Sequence, residues 1–273
     1  MSTAAQTLGG SDIDQQVRSR VRGSQEESIV SSPKRIARLA GLFYLMVGIT
    51  GGFSEGYVDP TMYVAGNAAA TAASVVANAG LARIGVLAHL ADAAFFMLTA
   101  LTLYVLLKHV HKSVARAMFV FVVIAASVIT LNAVFLFEGL QVATDSFYAS
   151  AFGAAGANGI VMILIEIQHY GTLAAQVFFG LWLAPLGYLA YKSGLFPKAL
   201  GVILVVATVS YVIDVAVAFA SPEFAKQVHM FLIIAPVISE VWMVLYLLVK
   251  GVRTLHTANR EPIAPMAQAT AAR

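Results

Sequence analysis

The chain alternates long apolar runs with short polar connections. Six runs, at about 36–54, 82–107, 117–140, 161–191, 198–220 and 230–250, approach the roughly 20 apolar residues a helix needs to cross the hydrocarbon of a bilayer. Lipid offers no partner to a backbone N–H or C=O, so runs of this length predict helices that satisfy their own backbone. The expected fold is all-α: a polytopic six-helix transmembrane bundle over residues 33–253. The fourth run exceeds a straight crossing. Tilt, or placing its first turns around residues 166–170 in the outer interface or along a cavity, should absorb the excess.

The connections carry their own signals. Residues 55–81 are too polar and too rich in small side chains for a span, but alanine propensity predicts a surface helix at about 67–79 that could cap the outer mouth. Residues 141–160, rich in Gly, Ala and Ser, predict a mobile loop. Between 191 and 201 the link is short, with Gly194 ending one helix and Pro197 opening the next, so the fourth and fifth spans should be antiparallel neighbours. Residues 1–32 and 254–273 are polar and aperiodic and predict disordered cytoplasmic tails. The first tail has no signal-peptide pattern, so the first span should remain as an anchor. The spans show no internal repeat and no inverted-repeat transporter signature.

Composition agrees with this pattern. The chain is 59% hydrophobic and 11% charged, against about 25% charged in soluble domains. It has no cysteine, which excludes disulfides, thiolate metal sites and thiol nucleophiles. The net charge of +3 matters less than where the cations fall. Lys34, Arg35 and Arg38 precede the first span, Lys108, Lys112 and Arg116 join the second and third, Lys192 and Lys198 join the fourth and fifth, and Lys250, Arg253 and Arg260 follow the sixth. Only Arg83 and Lys226 lie on the other side. The positive-inside rule then places both termini in the cytoplasm, in a multi-pass protein of the inner (cell) membrane.

Several stretches resemble a known family. RIARLAGLFYL at 35–45, AAATAA at 68–73 followed by ARIG at 82–85, HYG at 169–171, GYLAYKSGLFPK at 187–198 and SEVWMVLYLLVKG at 239–251 together resemble a bacterial six-span inner-membrane family known as domain of unknown function 4386. The resemblance covers roughly residues 34–253. It implies an architecture and no activity. In that family a carboxylate tends to stand near the His89 position, which counts against a metal site built on His89.

The candidate chemistry is a polar band. Counted at about 1.5 Å per residue, His89, Asp92, Asn132, Glu166, His169, Asp214 and Glu240 fall roughly 8–15 Å below the outer ends of five spans, with Glu138 nearer the surface. Each charge facing lipid would cost at least about 2.5–3.5 kcal/mol. The band should therefore face inward. Residues 89, 92 and 96 share one helical face and 166, 169, 173 and 176 another, and Pro236 should bend the sixth span near Glu240. Five carboxylates, Asp92, Glu138, Glu166, Asp214 and Glu240, stand against one rim cation, Arg83. Bound protons, a cation, a metal or a cationic solute must balance them, and His89 and His169 add groups that titrate near neutral pH.

Three function classes follow. The favoured one binds, and moves, a proton, cation or small cationic solute, with Asp92 and Glu240 as deepest carriers, Glu166 and His169 as an entrance pair and Arg83 setting local charge. The second is an intramembrane metal-dependent oxidoreductase or hydrolase, its divalent metal held by His89, Asp92, Glu166, His169 and Glu240, because Glu166 and His169 have the Glu-x-x-His spacing of di-iron carboxylate proteins. Haem between His89 and His169 fits poorly among so many acids, and too few histidines share the layer for a multi-histidine zinc site. The third is a structural or sensory role, in which polar groups tie helices together. The expected partner is the lipid bilayer. No phosphate loop or nucleic-acid patch is present, the basic residues being explained by topology. Tyr44, Tyr188, Tyr211, Trp182 and Trp242 read as packing or interfacial anchors, and His229 as an external-rim residue.

Overall fold

The structure, a computed structural model, describes residues 33–253; the tails expected at 1–32 and 254–273 lie outside the described residues. Six helical stretches are long and apolar enough to cross a membrane: Pro33–Met62, Ala79–Leu107, Lys112–Thr144, Ser146–Ser193, Lys198–Ala220 and Pro222–Val249. No strand occurs among the described residues. The fold is an all-α, membrane-spanning bundle.

The first stretch is α1 (Pro33–Phe53), a π-helical turn at Ser54–Val58, and a last turn α2 (Asp59–Met62). The sequence reading ends this span near 54, because residues 55–81 are too polar and too rich in small side chains for a span. The helix continues because the wide π turn absorbs Pro60, which has no N–H to give an α-helical partner. Hydroxyls prepare the distortion: Thr50 Oγ1 donates to the Met46 carbonyl at 2.7 Å and Ser54 Oγ to the Thr50 carbonyl at 2.9 Å, a back-bonding that loosens and bends helices. Surface helix α3 (Ala68–Ala77) is capped by Asn67, whose side chain accepts from the Ala70 N–H at 2.9 Å. It packs on the third and fourth spans, so it covers only part of that end of the bundle.

Spans two and three are α4 (Ala79–Leu107) and α5 (Lys112–Thr144). The expected mobile loop at 141–160 is replaced by helix: α5 runs to Thr144 and α6 (Ser146–Leu181) begins at once, with Asp145 capping the Phe147 N–H at 2.8 Å. Alanine-rich sequence favours helix here, and the break shrinks to Gly153, whose φ of 71° lies in the left-handed region. Span four continues as α7 (Leu183–Ser193), span five is α8 (Lys198–Ala220), and span six is α9 (Pro222–Leu232) plus α10 (Ile234–Val249). The interruptions at Trp182 and Ile233 each fall just before a proline, Pro185 and Pro236, whose missing N–H breaks the ladder. As expected, Gly194 closes α7 with φ of 70° and Pro197 caps α8.

The spans form a closed ring: α1 packs on α4, α4 on α5, α5 on α6, α6 and α7 on α8, α8 on α10, and α10 back on α1. The core divides into two clusters. One, toward the end that holds both ends of the described chain, includes Tyr44, Phe96, Leu103, Ile129, Trp182 and Met243, and the other, toward the opposite end, includes Val58, Met62, Ala82, Leu136 and Ile165. On α1, α4 and α5 the chain passes polar residues between its positions in the first cluster and those in the second. The polar layer thus has apolar packing at both ends.

Lipid and core are equally apolar, so close backbone approach holds such helices together. At the α7–α8 crossing a Cβ on Gly201 would stand 2.7 Å from the Gly187 carbonyl and 2.9 Å from the Tyr191 amide nitrogen, neither of which can swing aside. Gly201→Ala is expected to cost about 1–3 kcal/mol, the usual penalty of overpacking, read as a lower unfolding temperature in detergent. Gly48→Ala, where nothing lies within 4 Å, is the control. Equal melting of the two variants would mean the crossing is looser than described.

Candidate functional site

A cavity of ≈ 120 Å³ lies inside the ring. Helix α1 and its π turn contribute Tyr44, Val47, Gly51 and Glu55; α4 contributes Asp92 and Phe96; the fourth span Phe179 and Trp182; α8 Tyr211; and α10 Glu240. Three carboxyl groups from three spans therefore share one cavity, and among the described residues no lysine or arginine lines it.

Each acid is held differently. Glu240 lies one turn beyond Pro236, and its two oxygens accept from two phenols, Tyr44 Oη at 2.8 Å on Oε2 and Tyr211 Oη at 3.0 Å on Oε1. Those donors replace water for a half-buried carboxylate. Asp92 is 3% exposed, and its Oδ1 accepts from Thr50 Oγ1 at 3.2 Å. Gly51 makes room for it, since a Cβ there would stand 3.2 Å from the same oxygen. Glu55 accepts no hydrogen bond from a side chain among the described residues. The aromatic wall is locked edge-on: Trp182 meets Tyr44 at 5.3 Å and Phe96 at 5.1 Å between ring centroids, and Phe96 meets Phe179 at 5.8 Å. These T-shaped pairs are favourable in themselves and fix the lining.

His89 does not join Asp92 although one helical turn separates them. It is fully buried, with Nε2 3.0 Å from Oδ1 of Asp59 in the last turn of the first span. Its Nδ1 has no partner among the described residues. Asp214 is likewise paired, its Oδ2 2.9 Å from Nδ1 of His229 on α9. The imidazole expected at the rim thus meets a carboxylate expected in the band, and neither lines the cavity.

Glu166 and His169 form a separate cluster beside Tyr63, at the end of the bundle that α3 covers. Tyr63 Oη donates to Glu166 Oε1 at 3.3 Å, and the Tyr63 ring stacks on the exposed His169 at 4.9 Å. Burial, then the nearby Glu166 carboxylate, pushes the Tyr63 phenol above its usual range. It therefore remains a donor at neutral pH.

The other band residues lie elsewhere. Asn132 ties α5 to α6, donating from Nδ2 to Thr172 Oγ1 at 3.0 Å, with Gly171 packed so closely that a Cβ would strike its Oδ1. Arg83 and Glu138 are exposed, without ion-pair partners among the described residues. Of the nine residues singled out from sequence, Asp92 and Glu240 line the cavity. Nor do His89, Asp92, Glu166, His169 and Glu240 converge: among the described residues no three His, Asp or Glu side chains could jointly hold a metal ion. Asp59 takes His89, Thr50 takes Asp92, Tyr63 takes Glu166, and two phenols take Glu240.

Sequence reading missed Glu55 and Asp59, assigned to an external connection, and took Tyr44, Tyr211 and Trp182 for packing or interface residues. A signal for the acids existed: Gly51, Glu55 and Asp59 repeat every fourth residue, which continues one helical face beyond the apolar run. The polarity of residues 55–81 concealed it.

A family model described as Domain of unknown function (DUF4386) matches residues 39–251. An uncharacterized protein of Archaeoglobus fulgidus is 27% identical over 146 residues, 54% of this chain and 73% of that protein. No solved structure matches.

Proposed function

The chain belongs to this family of unknown function, and from that premise we propose that its bundle binds, and carries across the membrane, a proton or small cation through the acidic cavity. The observation that carries this reading is the convergence of Glu55, Asp92 and Glu240 on one cavity with no basic residue in its lining among the described residues. An intramembrane charge costs several kcal/mol unless it is compensated, and a transiently bound cation or proton compensates it reversibly. The volume favours a small ligand, since drug-sized sites run from about 300 Å³. In this reading Asp92 and Glu240 are the deep carriers, with Glu55 beside them. Glu166 and His169, bridged by Tyr63, form the entrance pair, and Arg83 sets the charge at the mouth.

The proposed setting is the inner (cell) membrane with both termini cytoplasmic. In support, the basic connections gather at one end of the ring: the Arg253 amide donates to the Leu195 carbonyl at 3.0 Å, and Gly251 packs against the Lys34 backbone. The positive-inside rule makes that end cytoplasmic.

The test is flux through proteoliposomes containing the full chain, following protons with an entrapped pH dye and sodium, potassium and methylammonium with tracers under an imposed potential. Asp92→Asn and Glu240→Gln are each expected to lower flux at least about tenfold, the loss of a charge-assisted contact worth about 1.5–3 kcal/mol. Flux that both variants leave unchanged, or that wild type lacks for every ion, overturns the proposal.

A further inference from the structure

We infer that the cation this cavity takes is a small organic ammonium ion rather than a bare metal cation. The inference rests on the cation-binding reading above and narrows it to a chemical class.

Size is the first argument. A cavity of about 150 Å³ in another protein accommodates benzene, so ≈ 120 Å³ suits a ligand of about five heavy atoms. A methylated ammonium fills it, whereas a bare alkali ion leaves most of it empty.

The lining is the second. Hard cations take six or more oxygen ligands in a tight shell. Among the described residues no three carboxylate or imidazole side chains are placed to hold one ion jointly, and the carboxyl groups share the wall with the rings of Tyr44, Phe96, Phe179, Trp182 and Tyr211. Aromatic rings do attract alkylammonium ions, through the ring quadrupole and through contact with the methyl groups. Acid and aromatic walls together match a ligand with one positive charge and an apolar skin. The edge-on packing of Trp182 between Tyr44 and Phe96 means the wall is formed before the ligand arrives, which lowers the ordering cost of binding.

Unused binding capacity is the third. Asp92 is 97% withdrawn from solvent and lines the cavity, yet only its Oδ1 accepts a hydrogen bond among the described residues. No hydrogen bond from a described residue reaches its Oδ2, and no described side chain donates to Glu55, which lines the same cavity. An ammonium N–H, or for a quaternary ion its diffuse charge, answers both.

Trp182 supplies the readout. In purified full-length Trp242→Phe protein it is the remaining tryptophan, and its fluorescence is followed during titration with methylammonium through tetramethylammonium chlorides, with sodium chloride and neutral tert-butanol as comparisons. Saturable quenching by the alkylammonium ions, absent with tert-butanol and sodium and weakened at least about tenfold by Asp92→Asn or Glu240→Gln, is expected. Thermal melting confirms that each variant is folded. If sodium or protons change the signal in a Glu240-dependent way and no alkylammonium does, the ammonium assignment is overturned while the cation site stands. If nothing changes the signal, both fall. Quenching by tert-butanol equal to that by tetramethylammonium also overturns the inference, because the wall would then select shape without charge.

Discussion

Replacing His89 by leucine is expected to cost the fold about 3 kcal/mol, and replacing Asp59 by leucine as well is expected to return most of that loss. His89 has no exposed surface, Asp59 is 8% exposed, and Nε2 and Oδ1 lie 3.0 Å apart. Removing one partner leaves the other buried without a hydrogen bond, which for buried pairs costs about 3–5 kcal/mol, whereas replacing both by apolar groups is often neutral. Reversible unfolding in mixed micelles measures the cycle. If the double variant is as unstable as the two single losses combined, the residues act independently and the pair does not fasten the end of the first span to α4. The pair also explains why an imidazole sits in an apolar run: its partner comes from another span.

Trp182→Ala is expected to have a comparable effect on stability, about 3–5 kcal/mol, as for other fully buried tryptophans. The side chain is 1% exposed and meets Tyr44 and Phe96 edge-on. Membrane bundles draw their stability from packing, so the void is not relieved by a stronger hydrophobic drive elsewhere. A second consequence follows from Tyr44, which donates to Glu240 at 2.8 Å. Once Trp182 is gone, Tyr44 loses a supporting ring, so cation affinity should fall along with melting temperature. Trp182→Phe should keep most of both. A loss under about 1 kcal/mol for the alanine variant would show that the wall is not close-packed.

The polar band was legible only in part, and the reason differs from residue to residue. Depth along a helix follows from counting, so Asp92 and Glu240 could be placed at compatible levels. The azimuth of each helix and the reach of each side chain do not follow from counting. Glu138 shares the band's span with Asn132 and yet is exposed, while Asn132 meets Thr172. His89 and Asp92 share a face and still choose different partners, because Asp59 arrives on one side and Thr50 on the other. Glu55 and Asp59 fall where polarity and small residues begin, so counting apolar residues assigns them to a connection.

The sequence by itself determined that this chain is an all-α protein with six membrane-crossing helices, because a bilayer accepts only long apolar segments whose backbone bonds to itself. It also located the Gly194–Pro197 turn, whose residue types restrict φ and remove a donor. Only the tertiary structure decided which acids meet. Closing the ring sets each helix's rotation, and the first span's continuation through its π turn brings Glu55 into the cavity that Asp92 and Glu240 line. That choice depends on contacts between residues far apart in the chain, such as Tyr44 with Glu240, which local periodicity does not encode.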